Sequence, residues 1–317
     1  MAQTADFFTF FGFVVLTSAN TFAVRLSRTQ SDSQYSTSLL LLLVDILKVT
    51  VCWFAMGDKR RVTCRLRVST ALPGILYTWQ TQLLLYSATY LEATVYQVLG
   101  QVKIATAAFF CWFILGKTYR PSQILSLFGL MLGTAMVQAS HKPVHLLALT
   151  HAQHAPAVLA VLTAAVSSGY AGVLVEKLLK DQGNSFLSVN IEFALSSAII
   201  SFTQFCVFDL SRVSYRACGL FCSFNWFTCL VVVLQIASGL LVGLLLKFTD
   251  SVVKTFAVCC SLLLTCVVDL TLGADLPLIL TSGLCTTLAS MLLYAEVEKS
   301  VVLFIFLISF VFVDLFR

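Results

Sequence analysis

Two lysines stand where a lysine is costly. Lys103 and Lys254 each open a long apolar stretch. A charge at the middle of a bilayer costs ~2.5–3.5 kcal/mol even on a lenient insertion scale, so such a residue faces a cavity or a partner. The nearest acid to Lys103 in sequence is Glu92, eleven residues away. A lysine ammonium is a compact point charge that suits a phosphate oxygen. Two of them suit an anion carrying one or two phosphates. The competing reading is a protein counter-ion from another helix, such as Asp45 or Glu176. Asp45 and Lys48 are spaced i, i+3 inside an apolar run, which allows a pair on one helix face. They are either a self-neutralised structural pair or a charged wall of a polar path. Asp250 lies between Lys247 and Lys254 and can reach either.

Uncharged polar residues gather near the same lysines. Tyr96, Gln97 and Gln101 precede Lys103. A tyrosine can stack on a base, and a glutamine amide can read a donor and acceptor edge. Interhelical hydrogen bonding is the structural alternative. Gln97 and Gln101 share a helix face, but Lys103 sits about 160° around the wheel from Gln101. One strict face cannot hold all three, whereas a cavity crossed by a helix terminus can. Tyr77, Gln80, Gln235 and Ser238 are further candidates. Gly239 and Gly243 form a GxxxG pair, the signature of a close helix contact.

Other chemistry-bearing groups lead elsewhere. His141, His145, His151 and His154 fall within fourteen residues, without accompanying carboxylate or cysteine. They read as a solvated loop, with a metal or pH sensor as the alternative. Of eleven cysteines, most fall inside apolar runs, where they act as small hydrophobes. Cys218 and Cys222 sit where a bridge is conceivable. There is no phosphate-loop motif, no HExxH and no serine elbow. The expectation is a protein that is not an enzyme, holds no cofactor or metal and binds no nucleic acid.

The elements that must position these residues are membrane helices. Apolar residues make up 59% of the 317-residue chain and charged residues 11%, against roughly 25% charged in ordinary soluble domains. Mean hydropathy is +0.92. Runs such as Leu39 to Val44 are apolar on every side, which excludes the alternation of a β-barrel. The pattern predicts an all-α membrane protein with about ten spans, near 7–24, 36–56, 69–88, 91–115, 121–140, 155–179, 186–209, 226–247, 251–272 and 276–295. Lysine and arginine placement predicts a cytosolic N-terminus. With that orientation eleven basic residues lie inside (Lys59, Arg60, Arg61, Arg65, Arg67, Lys117, Arg120, Lys177, Lys180, Lys247, Lys254) and five outside (Arg25, Arg28, Lys142, Arg212, Arg216).

Ten spans divide into two inverted five-helix repeats, about 1–140 and 153–297, around a central cavity. Superposing Lys103 on Lys254 brings Gly133 within one residue of Gly283. The repeats make one transporter domain, 1–297, and predict that both lysines face one cavity. Residues 298–317 form a hydrophobic C-terminal tail. Its uncharged run, Val301 to Val313, reaches ~20 Å as a helix, short of a ~30 Å hydrocarbon core. It reads as embedded in the membrane but outside the substrate cavity, with an eleventh, bilayer-thinning span as the alternative.

Four stretches carry a family resemblance: RLSRT at 25–29 with DILK at 45–48, TVYQVLGQVKI at 94–104, SGYAGVLVEKLLK at 168–180, and SGLLVGLLLKFTDSVVKTFA at 238–257. In their order and spacing the chain resembles the nucleotide-sugar transporters, in the branch of CMP-sialic acid, UDP-galactose and UDP-N-acetylglucosamine carriers. The resemblance implies a ten-helix drug/metabolite-transporter fold in a Golgi membrane (an endoplasmic reticulum membrane is the alternative). It implies exchange of a cytosolic nucleotide sugar for a lumenal nucleoside monophosphate, with the bilayer and a homodimeric copy as further partners. The lysines matching Lys103 and Lys254 approach the phosphate in that family. The residues matching Tyr96, Gln97 and Gln101 line the nucleotide site. Departures occur at Thr81–Gln82, Val189, Leu234, Ser238–Gly239 and the segment FTDS at 248–251. They leave the anion site in place and alter the polar groups around it. A nontransporting regulatory or assembly protein of the same fold is the second class.

Overall fold

The computed structural model describes residues 2–29, 36–57, 68–91, 93–139, 154–181, 185–209, 224–271 and 277–295. These residues build α1 (Ala2–Thr29), α2 (Thr37–Met56), α3 (Val68–Tyr90), α4 (Ala93–Gly100), α5 (Val102–Leu115), α6 (Pro121–Ala139), α7 (His154–Lys180), α8 (Phe186–Gln204), α9 (Trp226–Phe248), α10 (Ser251–Thr271) and α11 (Leu278–Ala295). A turn of π-helix, Phe205–Asp209, extends α8. Among the described residues there is no strand. The basic segment 58–67, Cys218, Cys222, the loop histidines 141, 145 and 151, and the tail 298–317 lie outside the described residues.

Among the described residues, eight stretches are long and apolar enough to cross a membrane, and Leu278–Tyr294 is a shorter apolar helix. Helices suit this role because every backbone group is satisfied within the segment. The surface is inverted relative to a soluble protein. Phe113, Phe128, Trp226 and Leu278 are exposed on the outside, while Thr70, Gln101, Thr134, Glu176 and Glu192 are buried. Many hydroxyls bond back to their own helix, as in Thr78 to Gly74 O at 2.8 Å and Thr163 to Leu159 O at 2.7 Å. Such back-bonding lets threonine sit in hydrocarbon without a partner helix.

The helices pack chiefly as four pairs: α6 with α11, α3 with α7, α1 with α9, and α2 with α8. Small residues set the closest approach. A Cβ on Gly133 would lie 2.7 Å from Thr287 N and 3.0 Å from Gly283 O, and one on Gly283 would lie 2.8 Å from Val137 N. Gly133 and Gly283, which the sequence superposition brings within one residue of each other, therefore face one another across the α6–α11 crossing. Backbone this close leaves no room for a methyl group.

The expected single span 91–115 is two helices. Gly100 and Gln101 end α4, and α5 restarts at Val102. Across the break the bonds shorten to i→i+3, Gln101 N–H to Val98 O at 3.1 Å and Ile104 N–H to Gln101 O at 2.9 Å. Glycine weakens a helix interior by about 1 kcal/mol, and Gln101 is drawn sideways by Gln138 and Thr134.

Gly133→Ala and Gly283→Ala should each lower the detergent melting temperature, by the ~1–3 kcal/mol typical of overpacking. Gly100→Ala, with open space around its Cβ, should melt close to the wild type. Equal melting of all three would contradict the close crossing.

Candidate functional site

Three compartments open between the helices. The first, about 250 Å³, is lined by Lys48 on α2, Thr70 and Tyr77 on α3, Asn190 and Phe193 on α8, Gly239 and Gly243 on α9, and Lys254 on α10. Lys254 donates to the Tyr77 hydroxyl at 3.3 Å and sits 5.6 Å from the centre of that ring. Lys48 lies 5.2 Å from the Phe193 ring centre and is itself buried. A Cβ on Gly239 would come within 3.5 Å of the Lys48 ammonium. Two ammoniums thus share a chamber whose described lining contains no carboxylate.

The second compartment, about 200 Å³, holds Arg25, Gln101, Lys103, Thr134, Gln138, Thr255 and Cys259. The third, about 140 Å³, holds Gln80, Tyr96, Gln97, Gln101, Lys103, Gln138 and Ser168. Lys103 and the amides of Gln101 and Gln138 form the wall between them. Gln101 Nε2 donates to Gln138 Oε1 at 2.9 Å, and Thr134 donates to Gln101 Oε1 at 3.2 Å. Gln80 Oε1 is buried without a hydrogen-bond partner. Such an acceptor calls for a donor, from water or ligand. Lys103 on α5 and Lys254 on α10 sit on helices that pack against each other, so the compartments adjoin. Each is smaller than the ~300–1,000 Å³ of ordinary small-molecule sites.

Several expectations need correction. The matched lysines do not share one compartment: Lys254 faces the first and Lys103 the other two, because the α4–α5 break turns Lys103 toward α6. Asp45 and Lys48 close no ion pair. Asp45 instead accepts from Ser201 at 3.4 Å, while Lys48 turns to Phe193 and the chamber. Gly239 is not purely a helix contact. It faces Lys48, and only Gly243 packs tightly, 2.9 Å from the Phe186 ring. Gln235 and Ser238 bond along their own helix, Ser238 Oγ to Gln235 O at 3.2 Å, and line none of the three compartments. Tyr77, Gln80, Tyr96, Gln97 and Gln101 do line them.

Asp250 reaches neither of its neighbouring lysines. It accepts from Lys117 at 2.8 Å and from Val253 N–H at 2.8 Å. Glu176, fully buried, is not a partner for Lys103 either. It accepts from Lys117 at 2.9 Å, Lys180 at 2.8 Å and Ser251 N–H at 2.7 Å. This network ties the α5–α6 turn, the end of α7 and the start of α10 together at one end of the bundle. Burial pulls the Lys117 ammonium down, but Asp250 and Glu176 outweigh it and hold its pKa above the ordinary lysine value. Lys117 therefore keeps its charge at any physiological pH. At the other end of α10, Asp269 accepts twice from Arg25 Nη1, both at 2.9 Å.

Sequence reasoning missed Glu192, Thr70, Gln138 and Asn190. Glu192 was detectable by the same rule that singled out Asp45, an acid within an apolar run. It accepts from Thr70 at 2.6 Å. Gln138 lies near the end of α6, where a glutamine reads as an interface residue. Only the lateral break in the neighbouring helix brings it beside Lys103.

A family model described as Nucleotide-sugar transporter matches residues 2–295. The UDP-N-acetylglucosamine transporter of Mus musculus is 31% identical over 81% of this chain and 84% of its own length. The UDP-N-acetylglucosamine/UDP-N-acetylgalactosamine transporter of Caenorhabditis elegans is 29% identical over 90% and 92%. The UDP-galactose transporter of Schizosaccharomyces pombe is 29% identical over 84% and 80%. A solved crystal structure shares the fold with a TM-score of 0.71 at 16% identity, covering 94% of this chain and 99% of its own.

Glu176→Gln should lower stability by about 3–5 kcal/mol, the usual consequence of removing one partner from a buried ion pair. Lys180→Gln should do less, since Lys180 is 38% exposed and Lys117 remains. Thermal melts of the purified variants check the order. Equal losses would show that Glu176 is not the hub.

Proposed function

Because the chain belongs to the nucleotide-sugar transporter family, we propose that it is an antiporter exchanging a cytosolic nucleotide sugar, of the UDP-sugar or CMP-sialic acid class, for a lumenal nucleoside monophosphate. The observation that carries this reading is the set of ammoniums on Lys48, Lys103 and Lys254. None has a carboxylate partner among the described residues, and all border compartments in the interior of a membrane bundle. An anion with phosphate groups neutralises them, and a protein charge does not. Lys103 and Lys254 take the phosphate, and Lys48 and Tyr77 extend the anion site. Tyr96, Gln97, Gln101 and the unpartnered Gln80 face the nucleoside or sugar. No single compartment holds a nucleotide sugar, so binding merges them.

The helices form ten crossings in two inverted repeats, counting α4 and α5 as one. The offset that takes Lys103 to Lys254 also takes Ser18 to Gly169. Ser18 donates to Ser261 O on α10 at 2.8 Å, and Gly169 lies against Thr106 and Ala107 of α5. Equivalent residues thus touch equivalent helices, and the pairing of α3 with α7 mirrors that of α1 with α9. These mirrored contacts support the repeat.

Alternating access follows from the two ends. The Glu176 network closes the cytosolic end, and the Arg25–Asp269 pair bridges the lumenal end. One must part while the other holds. An empty carrier would carry its lysines through the occluded state without a counter-ion, which makes exchange obligatory. The setting is a Golgi membrane with a cytosolic N-terminus.

Proteoliposome exchange tests the reading. Preloading vesicles with UMP or CMP should raise uptake of the matching nucleotide sugar several-fold. Equal uptake into empty vesicles would sink obligatory exchange. Lys103→Ala and Lys254→Ala should each abolish monophosphate binding in a chain that still folds, judged by size exclusion and melting. Wild-type affinity in the double variant would overturn the phosphate assignment. A well-folded wild-type chain that exchanges none of a broad nucleotide-sugar panel would favour the nontransporting class.

A further inference from the structure

A fourth cavity lies apart from the lysines. It is an apolar groove of about 210 Å³ between α5 and α6, open to the outside of the bundle, lined by Phe109, Trp112, Tyr119, Ile124, Phe128 and Met131. Phe109, Trp112 and Phe128 are 52%, 54% and 56% exposed. None of the proposed transport residues reaches it.

The chain's own course leads to this groove. Gly129 of α6 abuts Ser290 of α11, and Gly133 abuts Thr287. The two helices are therefore antiparallel in a fixed register. Five residues further along each, Ala295 comes level with Ile124. Tyr294 is buried against Phe256 with ring centres 4.3 Å apart, in the core cluster that Tyr119 packs against. The described chain thus ends at the mouth of the groove. Beyond it come Glu296 to Ser300 and then thirteen uncharged residues, Val301 to Val313, with phenylalanines at 304, 306, 310 and 312.

We propose that the segment 301–313 docks in the α5–α6 groove of its own chain. Reach permits it: five linking residues span up to about 17 Å when extended. Length permits it too. The α6 lining from Ile124 to Met131 covers about 10 Å, less than the ~20 Å of thirteen helical residues. The same run is too short to cross a ~30 Å hydrocarbon core alone, so a protein surface is its natural seat. Its charges agree. Docking would bring Glu296 and Glu298 toward Arg120, which is exposed at the groove mouth, and would set the apolar run against aromatic rings. Tethering also favours this occupant over a free lipid, because a short linker holds it at millimolar effective concentration.

The test places benzoylphenylalanine at Phe128 in the full-length chain in liposomes. After illumination, peptide mass spectrometry should find position 128 joined to a peptide from 301–313, at the mass of one chain. In a chain truncated after Lys299, the same probe should capture lipid instead. A lipid adduct in the full-length chain, an adduct at the mass of two chains, or no tail adduct would each overturn the proposal. The readout does not depend on transport, so it stands or falls separately from the exchange assay.

Discussion

An ammonium in hydrocarbon must find an anion or lose its charge. The structure meets that constraint in two ways, and much of its architecture follows from the division. Lys117 and Lys180 reach Glu176 and Asp250, and they become part of the frame. Lys48, Lys103 and Lys254 reach no carboxylate among the described residues. They are held instead against aromatic rings, a phenol and amides, which soften the charge without cancelling it. The first group ties helices together at one end of the bundle. The second leaves an electrostatic demand that, on the proposed reading, a visiting anion meets.

Keeping those two groups apart requires separate helix ends. Glu176 receives the first N–H of α10, and Lys254 follows one turn later. A carboxylate at that helix start is favoured by the backbone dipole as well as by its lysines. The same helix therefore carries a neutralised end and, next to it, an unneutralised cation. Any change that pulls Ser251 from Glu176 also moves the Lys254 stem. The contact between α6 and α11 is of another kind. Backbone meets backbone through Gly133 and Gly283, with no side chain to interlock. It is set by shape and carries no charge.

Much of this was legible in the residues. Apolar run length gave the helices and their order, because hydrocarbon demands a long uncharged segment whatever its neighbours are. The cost of an intramembrane charge picked out Lys103 and Lys254, and Tyr96, Gln97 and Gln101 with them. The pairings were harder to read. Asp250 was expected beside its sequence neighbours, yet it meets Lys117, 133 positions away. Asp45 and Lys48 have the right spacing for a pair, yet they meet α8 about two turns apart, Asp45 at Ser201 and Lys48 at Phe193. Spacing states what one helix allows, while the partner is chosen by tertiary packing. The break at Gln101 was foreshadowed by the angular conflict between Gln101 and Lys103. Its depth depends on Gln138, whose position no local pattern reveals.

That break has a consequence for how such a chain diversifies. Tyr96 and Gln97 belong to an eight-residue helical fragment, and Lys103 to the separate one that follows. A substitution in the shorter fragment can tilt or rotate it while the lysine keeps its place, since the joint absorbs the change. On the proposed transport reading, recognition of the variable portion of a cargo and of its constant charged portion would therefore be mechanically uncoupled. On that reading, mutational drift would explore new cargoes through α4 one residue at a time, without passing through forms that have lost their grip on the shared anion.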